Sequence, residues 1–173
     1  MTRCLTIQGV RILGVDPGSV TTGFGVIDYD RGRLALVEQG TIATQRGSEL
    51  ADRLCRIHEE LTLIIARTMP AVVAVETPFA GQNMKSLIQL SHARGVILLA
   101  ARTAHLAVYE YAPSTVKSAV AGYGAAEKAQ VAKMVSMLIK GCPPMRPDAS
   151  DALAIAICHA HTSGTMTRLR VRA

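Results

Sequence analysis

The chain has no tryptophan, two phenylalanines and four tyrosines among 173 residues, so its core is expected to be packed with Ala, Val, Leu and Ile. Long apolar runs are also missing. VILLAA (96–101) and ALAIAIC (152–158) fall well short of the roughly 20 residues a membrane-spanning helix needs. No N-terminal apolar segment with a cleavage site stands in the sequence, so secretion is not expected. Four cysteines (Cys4, Cys55, Cys142 and Cys158) are scattered without a C-x-x-C pair. That spacing argues against a zinc site and for reduced thiols in the cytoplasm. Acids are scarce too, with 13 Asp and Glu against 19 Lys and Arg.

The positive charge is uneven. Residues 1–80 hold 8 basic against 9 acidic side chains, a net −1, whereas residues 81–173 hold 11 against 4, a net +7. A basic half of this kind suits a polyanionic partner, nucleic acid foremost; the bland alternative is a solubilising surface.

Hydrophobic periodicity gives the outline. VRILGVD (10–16), TGFGVIDYD (22–30) and RLALVEQGTIAT (33–44) read as three strands joined by short connections, an antiparallel meander. Residues 48–69 carry apolar side chains at helical spacing, with Ser48 available as cap and Pro70 as stop. A strand at 71–76, a helix at 84–104 and a strand at 106–112 follow. Helices at 113–121, 126–139 and 148–161 complete the chain, with Pro113 suited to a first helical turn and the tail TRLRVRA expected to fray. The expected class is α/β: a mixed five-stranded sheet, three antiparallel strands and then alternating helix and strand, flanked by helices.

Because acids are few, each position can be weighed. Asp16 ends the first strand after Ile-Leu-Gly-Val, and Glu76 ends the fourth after Val-Val-Ala-Val. Asp148 and Asp151 open the last helix at spacing i, i+3, on one face. A carboxylate at a buried strand end is costly unless paired or bound to a cation. Taken alone, Asp148 reads as a helix cap, Asp151 as a complement to the helix dipole, and Asp16-Pro17-Gly18-Ser19 as a turn. Glu76 resists such a reading, because an acid adds nothing to strand packing. A shared site explains all four at once. Four converging carboxylates repel one another, and a hard divalent cation with oxygen ligands, Mg²⁺ or Mn²⁺, relieves that repulsion. Two such ions about 4 Å apart also suit the hydrolysis of a phosphodiester by a basic protein.

These residues carry a family resemblance. RILGVDPGSVTTGFGVID (11–28), VAVETPF with the following N-x-K-S-L-x-Q-L-S-H-A-R-G-V (73–96), VYEYAPSTVKSAVAGYGAAEKAQVAKMV (108–135) and DASDALAIAICHAH (148–161) resemble, in order, the blocks of the RuvC family of bacterial Holliday-junction resolvases. The resemblance implies a ribonuclease H-like fold, a homodimer, and Mg²⁺-dependent nicking of two opposed strands of a four-way DNA junction. It also implies 5′-phosphate and 3′-hydroxyl ends and work beside the RuvA–RuvB branch-migration complex. The family's catalytic, metal-binding acids fall on Asp16, Glu76, Asp148 and Asp151, with Asp16 expected between two ions. Phe79 matches an aromatic that stacks on bases at the opened crossover. Lys117 and Lys128 match lysines near the scissile phosphate; Lys128 also lies in the first turn of a helix, where free N–H groups bind phosphate. Asn83, Lys85 and Arg94 are further DNA contacts; Lys85 and Arg94 read equally as surface of a dimer helix. Helix 84–104 fits either a dimer interface or a buried core helix. His159 and His161 read as structural. Residues 1–10 are expected to be an N-terminal extension, 11–162 the nuclease domain and 163–173 a basic tail. The chain departs from the family pattern at Gln82, where a basic residue is usual.

Three rivals remain. D-P-G-S-x-x-T-G-x-G is similar to the first phosphate loop of actin-like ATPases. The others are a related nuclease acting on RNA and a junction-binding protein without cleavage.

Overall fold

The computed structural model describes residues 9–78 and 84–170. Five strands form one sheet: β1 (Val10–Asp16), β2 (Thr21–Asp30), β3 (Arg33–Ala43), β4 (Val72–Glu76) and β5 (Ala107–Tyr111), in the order β3-β2-β1-β4-β5. The first three are antiparallel neighbours, as their short connections dictate, and β4 and β5 add in parallel after helical crossovers. A β-bulge shifts the β2–β3 register at Val26/Ile27.

Five helices cover the sheet: α1 (Leu50–Thr68), α2 (Met84–Thr103), α3 (Pro113–Ala121), α4 (Lys128–Leu138) and α5 (Pro147–Arg170). Strand alternation sorts the core into two layers. Leu13, Val15, Val73 and Val75 meet α1 and α2 through Ile57, Leu61, Ile64 and Ile97. The alternate residues, Ile12 and Ala74, face α3, α4 and α5. Every residue from Ala152 to Ala160 is buried, because α5 lies between the sheet and the α3–α4 pair.

Two glycines let α5 come this close. A Cβ added at Gly14 would stand 2.1 Å from the Ala152 carbonyl oxygen, and one at Gly23 2.0 Å from the Asp148 carbonyl oxygen. Both neighbours are main chain, so only glycine fits. Near the far end of β1, Arg11 donates to Asp28 from Nε (2.7 Å) and Nη2 (3.0 Å) and to the Thr68 carbonyl from Nη1 (2.7 Å).

Two local expectations are corrected. Ser48 does not cap α1: its Oγ donates to the Gln45 carbonyl in the preceding turn, and Glu49 holds the cap position without a side-chain hydrogen bond. The last helix does not stop near residue 161. Its main chain stays helical to Arg170, since no proline interrupts it and one glycine at 164 is tolerated. Among the described residues no helix is long and apolar enough to cross a membrane.

Candidate active site

The register explains how two acids far apart in sequence meet. Val15 pairs in parallel with Val75, so Asp16 and Glu76 occupy the next place on neighbouring strands. Alternation then turns both toward the side on which α5 lies, because Gly14 and Ala74, two residues earlier, face that helix. The close seat of α5 on Gly23 brings its start, with Asp148 in the first turn and Asp151 just after it, over the same strand ends.

Burial pushes the Asp16 carboxyl up to about 7, and the negative charges of Asp151, Glu76 and Asp148 push it the same way, against the pull of Lys128. Glu76 is raised by burial and by Asp151, while Lys128 and Lys117 act against the rise. All four acids therefore share one electrostatic neighbourhood, with Asp148 the weakest contributor at Asp16. Lys128 is the cation inside it. Its Nζ donates to Asp151 Oδ2 at 2.9 Å, which raises the lysine's own pKa. The lysine is aimed by the start of α4: Gln130 Oε1 accepts from the Glu127 N–H (3.1 Å) and the Tyr123 hydroxyl (2.5 Å), closing the first turn.

Asp16, Glu76 and Lys128 line a cavity of about 340 Å³, together with Thr77, Leu90 and Arg94. Pro78 also lines it. Phe79, Gln82 and Asn83 lie outside the described residues. Arg94 is in the cavity wall, paired with Glu110 on β5, and its buried Nε has no hydrogen-bond partner among the described residues. Lys85 is exposed on the first turn of α2 and does not line the cavity. Lys117 reaches the site only through its charge on Glu76. Both histidines have structural partners: His159 Nδ1 meets the Tyr111 hydroxyl at 2.7 Å, and His161 Nδ1 the Ala119 carbonyl at 3.0 Å. Glu110, Gly14 and Gly23 went unnoticed in the sequence. The signal for the glycines was their place on alternate positions of two strands that face a helix.

The acids suit a hard divalent cation by donor type and by the unfavourable charge they share. Among the described residues, however, no three of them stand as a ready-made metal cage. The Lys128–Asp151 pair is the counter-charge present instead.

A ribonuclease H-like sheet with acids at adjacent strand ends, in a basic surround, defines a class of nucleases that cut phosphodiesters. Residues 12–159 match the sequence model of the family described as crossover junction endodeoxyribonuclease RuvC. The chain belongs to that family. It is 46% identical over 163 residues to a crossover junction endodeoxyribonuclease RuvC of Chloroflexus aggregans, covering 94% of this chain and 99% of that protein. A relative of the same description from Syntrophotalea carbinolica is 49% identical over 152 residues, covering 88% of this chain and 94% of that protein. Among solved structures, Thermus thermophilus RuvC superposes with a TM-score of 0.82 at 33% identity over 91% of this chain and 97% of that one. The structure of T. thermophilus RuvC in complex with Holliday junction substrate superposes with a TM-score of 0.83 at 34% identity, again over 91% and 97%. The yeast mitochondrial Holliday junction resolvase Ydc2 shares the fold, at a TM-score of 0.67 and 12% identity. The protein is thus a RuvC-type endodeoxyribonuclease.

Proposed function

We propose that this endonuclease resolves four-way DNA junctions by paired nicks near the crossover, with Asp16, Glu76, Asp148 and Asp151 holding two divalent cations, Mg²⁺ or Mn²⁺ in its place. The observation that carries the reading is the strained carboxylate of Asp16. An acid raised to about 7 by burial and by Asp151 and Glu76 is set to bind positive charge. When bound, the cations would cancel the repulsion among the acids, admit the phosphodiester and acidify water at the site.

The chain's own groups do the rest. Lys128 is held at the acids by its bond to Asp151, within reach of an anionic phosphate that replaces the carboxylate as its partner. Arg94, held by Glu110, offers an unpaired Nε–H from the cavity wall. Lys117 adds charge beside Glu76. Attack of water on phosphorus breaks the P–O3′ bond, leaving a 5′-phosphate and a 3′-hydroxyl. Phe79, Asn83 and Lys85, which follow Pro78 in the sequence, are assigned to the junction: Phe79 to an opened base, Asn83 and Lys85 to the backbone.

Paired cuts need two sites related by a two-fold axis. Helix α2 supports a homodimer. One face packs Ala93, Ile97 and Ala101 into the core, while Met84, Ile88 and Leu99 form an exposed apolar stripe at helical spacing, with open space at Gly95. The core reading of this helix holds on the buried face, and the dimer reading rests on the exposed stripe. Family membership supports action in the bacterial cytoplasm beside RuvA and RuvB.

A nicking assay on a synthetic four-way junction, a DNA duplex and a structured RNA tests the reading. With Mg²⁺ the junction should be cut in symmetric pairs, chelator should stop cleavage, and Asp16→Asn should abolish nicking while junction binding survives. Preferential cutting of the RNA, or binding without cutting, would replace it.

A further inference from the structure

Beside the carboxylate cavity lies a larger one, of about 660 Å³, between α4, the loop after it and the start of α5. Its wall is mostly apolar: Ala132, Pro143, Pro144, Met145 and Pro147. Its polar groups are Lys133, Ser136, Ser150 and the Lys128–Asp151 pair. Lys133 is exposed and in no ion pair among the described residues, and the Lys128–Asp151 pair lines the same cavity. At the inner end is Ser150, 2% exposed, with its Oγ buried and without a hydrogen-bond partner among the described residues.

Each feature points to the same ligand. A stranded donor such as the Ser150 hydroxyl is costly unless something accepts from it. The apolar wall offers a dry face for a flat heterocycle. The volume falls within the usual range for small-ligand sites, roughly 300–1,000 Å³. Lys128 lines both cavities, so the two adjoin at the residue that also meets the acids.

We propose that this cavity receives one nucleotide of the cleaved strand, adjacent to the scissile phosphate. Its base lies against the Pro–Met wall, and its phosphate is held by Lys133 and the Ser150 hydroxyl. The assignment rests on the proposed nuclease function and adds a second point of grip, one that senses whether a base is present.

Single-turnover nicking of junctions carrying an abasic site at either nucleotide flanking the scissile phosphate tests it, with wild type, Ala132→Phe and Lys133→Glu. In wild type, loss of the base at one flanking position should slow nicking roughly tenfold, toward the lower end of what base stacking contributes. Ala132→Phe, which fills the cavity, should slow the intact junction by a similar factor and abolish the difference between intact and abasic substrates. Lys133→Glu, at an exposed position, should weaken junction affinity for both substrates alike, while base loss still slows it. A thermal melt checks that each variant folds. Normal nicking by wild type with indifference to base loss at both positions would overturn the cavity assignment and leave the nuclease function standing. Unchanged junction affinity in a folded Lys133→Glu would overturn it too. A wild type that nicks no junction would sink both.

Discussion

Asp16→Asn should make the protein more stable while removing its activity. Burial and the charges of Asp151 and Glu76 lift the Asp16 carboxyl from its ordinary 3.8 to about 7. In the unfolded chain that acid ionises near its ordinary value. Below pH 3.8 it is protonated in both states and adds nothing. Between 3.8 and 7 the unfolded chain has lost the proton that the folded chain keeps, so stability falls as pH rises, by about 1.4 kcal/mol per pH unit. Above 7 the full cost remains. A gap of about three pH units corresponds to roughly 4 kcal/mol at pH 8, an upper bound once local relaxation is allowed. Asparagine keeps the shape and removes the charge. In chelator at pH 8 the variant should melt higher than wild type, by on the order of 10 °C for a chain of this length. At pH 4 the two should melt together. Urea denaturation across pH 4–8 is the assay. A variant no more stable than wild type at pH 8 would refute the reasoning, because it would mean that Asp16 is not held against its neighbours' charge. The same measurement in wild type should show stabilisation by Mg²⁺, and Asp16→Asn should lose most of it.

Other expectations follow from single contacts. Gly14→Ala puts a methyl group into the main chain of α5 and should cost at least 1–3 kcal/mol. Its melting point would show this, and a wild-type value would mean that α5 sits farther from β1. Lys128→Met removes the cation that pulls the Asp16 and Glu76 pKa values down, so the acid limb of the pH–rate profile should move to higher pH. The rate at the plateau should also fall, by about 10²–10³ if the lysine steadies charge in the transition state; an unmoved profile would remove it from the site. Leu99→Glu places a charge in the exposed α2 stripe and should shift sedimentation from dimer toward monomer, with the monomer's fold intact. An unchanged dimer would move the interface elsewhere.

Much of this protein could be read from its residues. Short apolar and alternating runs located the five strands of the described residues, and proline and glycine marked several element ends. The carboxylate after Val-Val-Ala-Val pointed to a site, because an acid adds nothing to strand packing there, whereas Asp16 taken alone reads as part of a turn. The cap at Ser48 and the end of the last helix were misread for the same reason. Both depend on which local hydrogen bond or helical continuation wins, and the alternatives differ by only about a kilocalorie per mole.

Tertiary structure decided how the acids meet. The parallel register of β1 and β4 puts Asp16 beside Glu76, and nothing in either segment alone sets that register. The approach of α5 over Gly14 and Gly23 brings in Asp151, and a glycine needed for contact reads in sequence like any other glycine. Arg94 turned from surface residue to cavity wall through Glu110, sixteen residues away on another element. Local sequence determines which groups are present and on which face of an element they stand. The distances that set their charges against one another, and lift Asp16 to about 7, exist only once sheet register and helix packing bring separate segments together.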